Sequence, residues 1–179
     1  MIGPAEVGHG LGFALRPRLG LGSLVLALGA GLAFGLYMAL ADATVFAGVV
    51  PEVQRQMVAQ MATTERIAFF ARGALVDELL YRLIGLTAIA WSLAQVTPLR
   101  GGALIWPAIL LAAFVLYPTG NWVYFRALEP GTMTVLREIA LHGAAGVLWG
   151  WLYWRHGWLS AVTGHVAAHL SLQPLLGAA

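Results

Sequence analysis

The sequence predicts an all-α integral membrane protein, a bundle of about five transmembrane helices of the roughly 20 residues each that a bilayer requires. Composition is the first ground for this: of 179 residues, 60% are hydrophobic and only 10% charged, too apolar for an ordinary soluble domain. The second is punctuation, since "TPLRGG", "EPGTM" and "RHG" break the apolar runs with turn-forming residues. Length allows one transmembrane domain, residues 19–179, after an N-terminal tail of residues 1–18. The chain has no cysteine, which excludes disulfides, thiolate metal sites and cysteine nucleophiles. Every basic residue is arginine and the net charge is only +2, so no nucleic-acid surface is expected.

The first helix is expected over 19–40, preceded by Arg16 and Arg18. Its apolar run is too long for a signal-peptide core and lacks a clear cleavage site. The two arginines flank the first helix and favour an N-terminus on the inside, although the count itself is a tie, with Arg16, Arg18, Arg100 and Arg155 on that side and Arg55, Arg66, Arg126 and Arg137 on the other. The segment "PEVQRQMVAQMATTER" spaces Val53, Met57 and Met61 four apart and suits a short surface helix over the mouth of the bundle. The second helix is expected over 66–94, the third over 102–124, the fourth over 135–154 and the fifth over 158–176. Gly31 with Gly35, and Gly146 with Gly150, form GxxxG pairs that permit close helix approach. Trp149, Trp151, Trp154 and Trp158 surround the "RHG" turn and are expected to form an interfacial belt. His9 and His156 are expected to be solvated.

The second helix contains "ALVDELLYRLIG". Glu78 and Arg82 are spaced i, i+4 with the acid first, the order that suits a helical ion pair. Asp77 lies about 100° away around the helix, so that pairing does not account for it. His142 on the fourth helix and His165 and His169 on the fifth add three imidazoles. Helix rise puts His169, His142 and His165 roughly 18, 20 and 12 Å from the "RHG" turn, and Arg82 and Glu78 roughly 18 and 24 Å from the matching end of the second helix. Three helices thus bring polar groups to similar depth, and intramembrane ionisable residues mark functional sites. Two carboxylates and three imidazoles can activate a water, with or without a metal.

On these residues the chain resembles a family. "DELLYR" is similar to the EExxxR motif of the CPBP intramembrane proteases, the group of the CaaX prenyl proteases and bacteriocin-processing (Abi) relatives. "GVLWGWLYWRHGWLSAVTGHVAAH" resembles that family's closing helical hairpin, which carries HxxxN. The resemblance covers residues 66–172. It implies Asp77 and Glu78 at the two Glu positions, Arg82 at the Arg, His165 at the His of HxxxN and His169 at its Asn. The family's middle motif, FxxxH, would fall on the third helix, where Phe114 is followed by Pro118 in place of the His. His142, at similar depth, is the expected replacement.

The resemblance implies an intramembrane endopeptidase acting on a membrane-anchored or membrane-embedded peptide. Asp77 or Glu78 would be the general base on a water with His142 as partner. His165 and His169 would orient the water or stabilise the oxyanion, and Arg82 would hold the carboxylates. A divalent metal such as zinc would have Glu78, His142, His165 and His169 as its ligand candidates. The setting would be the bacterial cytoplasmic membrane, with lipid, the substrate peptide and a homo-oligomer as partner classes. Two other readings fit the residues: a family member that has lost catalysis and serves as a scaffold or partner subunit, and a haem or metal-ion membrane protein using the imidazoles.

Overall fold

The computed structural model describes residues 20–176. Arg16, Arg18 and His9 lie outside them, and so does the expectation that Arg16 and Arg18 orient the chain. Among the described residues all regular structure is helical. Helix α1 is Leu21–Ala43 and the short α2 is Glu52–Gln60. Helix α3 is Thr63–Val96 and α4 is Gly102–Gly120. Helix α5 occupies residues 132–156 and α6 is Trp158–Leu175.

Three of these, α1, α3 and α4, are long and apolar enough to cross a membrane. Among the described residues the protein is therefore all-helical, with three helices suited to a membrane. Helices α5 and α6 are long but less apolar. Arg137, Glu138, His142, His165, His169 and Gln173 dilute them, and all six are buried or half-buried within the bundle.

The long helices alternate in direction. The α1 GxxxG lies on α6: a Cβ on Gly31 would overlap the Gly164 carbonyl, and one on Gly35 the Ala168 carbonyl. The constant offset makes α1 and α6 parallel neighbours in backbone contact, the geometry that small residues at this spacing permit. The second GxxxG faces α4, with Gly146 against Ala113 and Gly150 against Ile109, an antiparallel pairing. Gly157 joins α5 to α6 at φ 90°, a left-handed conformation that favours glycine.

The two halves of the bundle differ in content. Leu86, Ala90, Leu104, Ile105, Ile109, Leu152 and Tyr153 form the apolar core in the half away from α2. Polar side chains collect in the half beneath α2. Trp149 is not part of an interfacial belt: it is 2% exposed and belongs to this core, because it lies two turns inside α5 from the α5–α6 turn. His156 is also not simply solvated. Its Nδ1 is 3.0 Å from Ser23 Oγ, tying the end of α5 to the start of α1.

Helices α3, α4 and α5 each contain a π-helical stretch: Glu78–Leu86, Ala112–Leu116 and Ile139–Gly143. Widening a helix by one residue per turn re-aims the side chains that follow, and such stretches recur at functional sites.

Candidate functional site

A cavity of about 460 Å³ lies beside these stretches, with Asp77 and Tyr117 adjoining two of them and His142 within the third. Asp77 from α3, His142 from α5, and His165 and His169 from α6 all line it, with Tyr117 and Asn121 contributed by α4 and its end. Of the groups matched by depth in the sequence, the three histidines thus share one space with Asp77, and Arg82 does not line it.

Glu78 does not line the cavity either. It is 0% exposed and sits behind the wall. Its Oε1 is 2.9 Å from His165 Nδ1, and its Oε2 is 3.5 Å from Arg82 Nε. Among the described residues Oε2 accepts no hydrogen bond. An ionised carboxylate only accepts, so His165 donates from Nδ1, which leaves Nε2 as the basic nitrogen. Arg82 also donates through Nη2 to the Gly146 carbonyl, 3.3 Å away. The i, i+4 acid–arginine pair is therefore real, and the acid within it holds a histidine. Asp77, one residue earlier, is the half-buried carboxylate that reaches the cavity.

His142 has a carboxylate of its own. Its Nδ1 is 2.6 Å from Glu138 Oε2, one turn earlier on α5. The other oxygen of Glu138 accepts from Arg137 Nη1 at 2.7 Å and from Tyr124 Oη at 3.2 Å. Arg137 grips Asp42 of α1 with two bonds of 2.8 Å. The sequence reading did not single out Asp42, Arg137 or Glu138 as site residues. Their signal was the burial of charge near helix ends, which hydropathy alone does not separate from an interfacial position.

His169 is arranged differently. The guanidinium of Arg66, 4% exposed, donates to Gln173 Oε1 at 3.3 Å, which turns the amide nitrogen toward His169 Nδ1 at 3.4 Å. Nδ1 then accepts and the proton resides on Nε2. The contacts therefore suit imidazoles of both kinds: His142 and His165 with Nε2 basic, and His169 with Nε2–H as a donor. Ring stacking fixes two of them. Trp149, His165, His169 and Phe70 form a column with successive centroids 5.5, 5.2 and 4.8 Å apart.

Two expectations change on this geometry. Pro118 is not in the cavity wall. It lines a neighbouring apolar pocket together with Phe114 and His142, so the α4 residues facing Asp77's cavity are Tyr117 and Asn121. As for a metal, among the described residues no three His, Asp or Glu side chains converge closely enough to hold an ion. Of the four candidates, Glu78 lies behind His165 and does not line the cavity that the three histidines share.

Val53 and Met57 of α2 line a smaller space that also contains His142 and His169. Helix α2 thus lies over the mouth, with Glu52, Arg55 and Gln56 exposed on its outer face. No family model, curated protein or solved structure matches the chain.

Proposed function

We propose that the protein is an intramembrane hydrolase of the CPBP protease type, cutting a membrane-anchored or membrane-embedded peptide with an activated water. One observation carries this reading: a single cavity is lined by Asp77, His142, His165 and His169, drawn from three helices. All five long helices would span, in the bacterial cytoplasmic membrane, with the polar faces of α5 and α6 turned inward.

Asp77 is the carboxylate positioned to take a proton from water, and His142, backed by Glu138, is the paired base. A carboxylate behind an imidazole fixes its tautomer and stabilises the imidazolium that forms. His169, with its proton on Nε2, is the donor suited to a developing oxyanion. His165, held by Glu78 and Arg82, orients the water or supplies a second stabilising contact. Glu78 is thereby a positioning residue, not the base.

The test is a membrane-peptide library offered to the parent protein, to Asp77→Asn and to His142→Ala in lipid nanodiscs. Each variant is expected to cleave at least about 100-fold more slowly than the parent, the low end for loss of a positioned acid or base. Cleavage undiminished in both variants removes them from the mechanism. A second reading, a membrane scaffold that has lost catalysis, draws on Pro118, which stands where the resembling family has its middle histidine. It predicts no cleavage by the parent and an unchanged fold in both variants.

A further inference from the structure

The polar network behind His142 is larger than catalysis by a Glu–His pair requires, and one of its members comes from α2. Arg137 is 1% exposed and Asp42 6% exposed. Arg137 Nη2 donates to Gln54 Oε1 at 2.8 Å, and Gln54 Nε2 returns a bond of 2.9 Å to Asp42 Oδ2. The guanidinium, the aspartate and the amide form a closed ring, and the guanidinium's remaining side holds Glu138. Gln54 is the α2 side chain that enters this ring. Its neighbours Val53 and Met57 roof the space above His142 and His169.

A planar guanidinium fixed by two bonds to one carboxylate has little freedom to turn. Its Nη1 therefore presents to Glu138 in one orientation, which in turn sets where Glu138 Oε2 meets His142 Nδ1. Gln54 fills the Nη2 position that would otherwise be unmatched and ties Asp42 in place. With α2 displaced, both Arg137 and Asp42 lose a partner, and buried charged groups missing a partner rearrange at considerable cost.

We propose that Arg137 is a positioning residue for His142, and that the seating of α2 through Gln54 completes that positioning, so that the imidazole is set when the roof is closed. This rests on the reading of His142 as the base, but its test does not need substrate.

The experiment uses the full chain with ¹⁵N-labelled histidine in lipid nanodiscs. His142 and His165 are each identified by the signals missing from His142→Ala and His165→Ala. In the parent, both are expected to show the Nδ1–H tautomer. Arg137→Lys keeps the charge but loses the fork, and Gln54→Ala removes only the α2 contact. Both are expected to lose the His142 Nδ1–H signal to a tautomer mixture, while His165, held by Glu78, stays unchanged. Because the chain lacks cysteine, a thiol placed by Met57→Cys is unique. Its reaction with a water-soluble maleimide is expected to rise about tenfold in the Gln54→Ala background, as for loss of two ordinary side-chain hydrogen bonds.

His142 signals unchanged in both Arg137→Lys and Gln54→Ala overturn the proposal. So does a joint change at His142 and His165, which reports general loosening. If Arg137→Lys does not fold, Gln54→Ala alone decides. Absence of cleavage by the parent would count against the hydrolase and leave these readouts intact.

Discussion

Glu78 reaches His165 across the interface from α3 to α6, whereas Glu138 holds His142 one turn along its own helix. Both contacts present Nδ1 to a carboxylate. Behind the contact the two regions diverge. Glu78 has one arginine, at 3.5 Å, and an oxygen with no hydrogen bond. Glu138 has an arginine at 2.7 Å and a tyrosine, and that arginine is itself bound to Asp42 and Gln54. The first pair is deep and sparsely satisfied, and the second is near the roof and nearly saturated. A buried charge with few partners stays in place because packing gives it nowhere to go, while a saturated one is fixed by its bonds. The first arrangement therefore suits a structural bridge between helices and the second a group whose setting depends on its neighbours.

The largest effect expected from breaking this contrast is in Arg137→Ala. It strips the counter-charge from Asp42 and Glu138 together, and removing one member of a buried ion pair costs about 3–5 kcal/mol. Unfolding in mixed detergent is expected to shift by at least that amount, and a change under about 1 kcal/mol would place the network among the weak surface pairs. Arg82→Ala follows at about 3 kcal/mol, the lower end for a buried pair, since His165 remains on Glu78. Arg82→Lys is expected to recover only part of it, lacking the second donor that reaches Gly146. Full stability of Arg82→Ala would mean that the 3.5 Å contact contributes nothing.

The loss expected for cleavage in His142→Ala, about 100-fold, corresponds to about 2.7 kcal/mol of barrier. Glu78→Gln sharpens the comparison. It keeps the shape, and its effect on cleavage is expected to be smaller than that of Asp77→Asn, because Glu78 acts through His165. Equal losses would return Glu78 to the role of base. The smallest effect is in Tyr124→Phe, which removes one of several bonds to Glu138 and is expected to cost about 1 kcal/mol in unfolding, with no change at His165.

Helices α3 and α4 show why part of this arrangement was hidden. Reading α3 as a regular helix places Glu78 and Arg82 on a shared face and Asp77 about 100° away. The pairing survives, but which acid meets the cavity depends on the rotation of α3 about its axis, which turns Asp77 toward the cavity and buries Glu78. In α4 the same regular reading looks to Pro118, and the wall is formed by Tyr117 and Asn121.

The sequence by itself determined the helical class, the long apolar runs and the main breaks between them, because turn-forming residues mark the breaks and helix rise converts residue counts into length; it did not fix relative depth, since Glu78 and His165, placed roughly 12 Å apart in level by helix rise, meet at 2.9 Å. It also determined the close-packing glycines, since only residues without bulk permit backbone contact. The tertiary structure alone decided which carboxylate faces the cavity, which carboxylate meets His142 and which meets His165, that Trp149 is core, and that Asp42 and Gln54 complete the ring around Arg137. Those outcomes depend on rotation about helix axes and on partners 95 and 83 residues away in the chain. In helices that are apolar on nearly every side, no hydrophobic periodicity records that rotation.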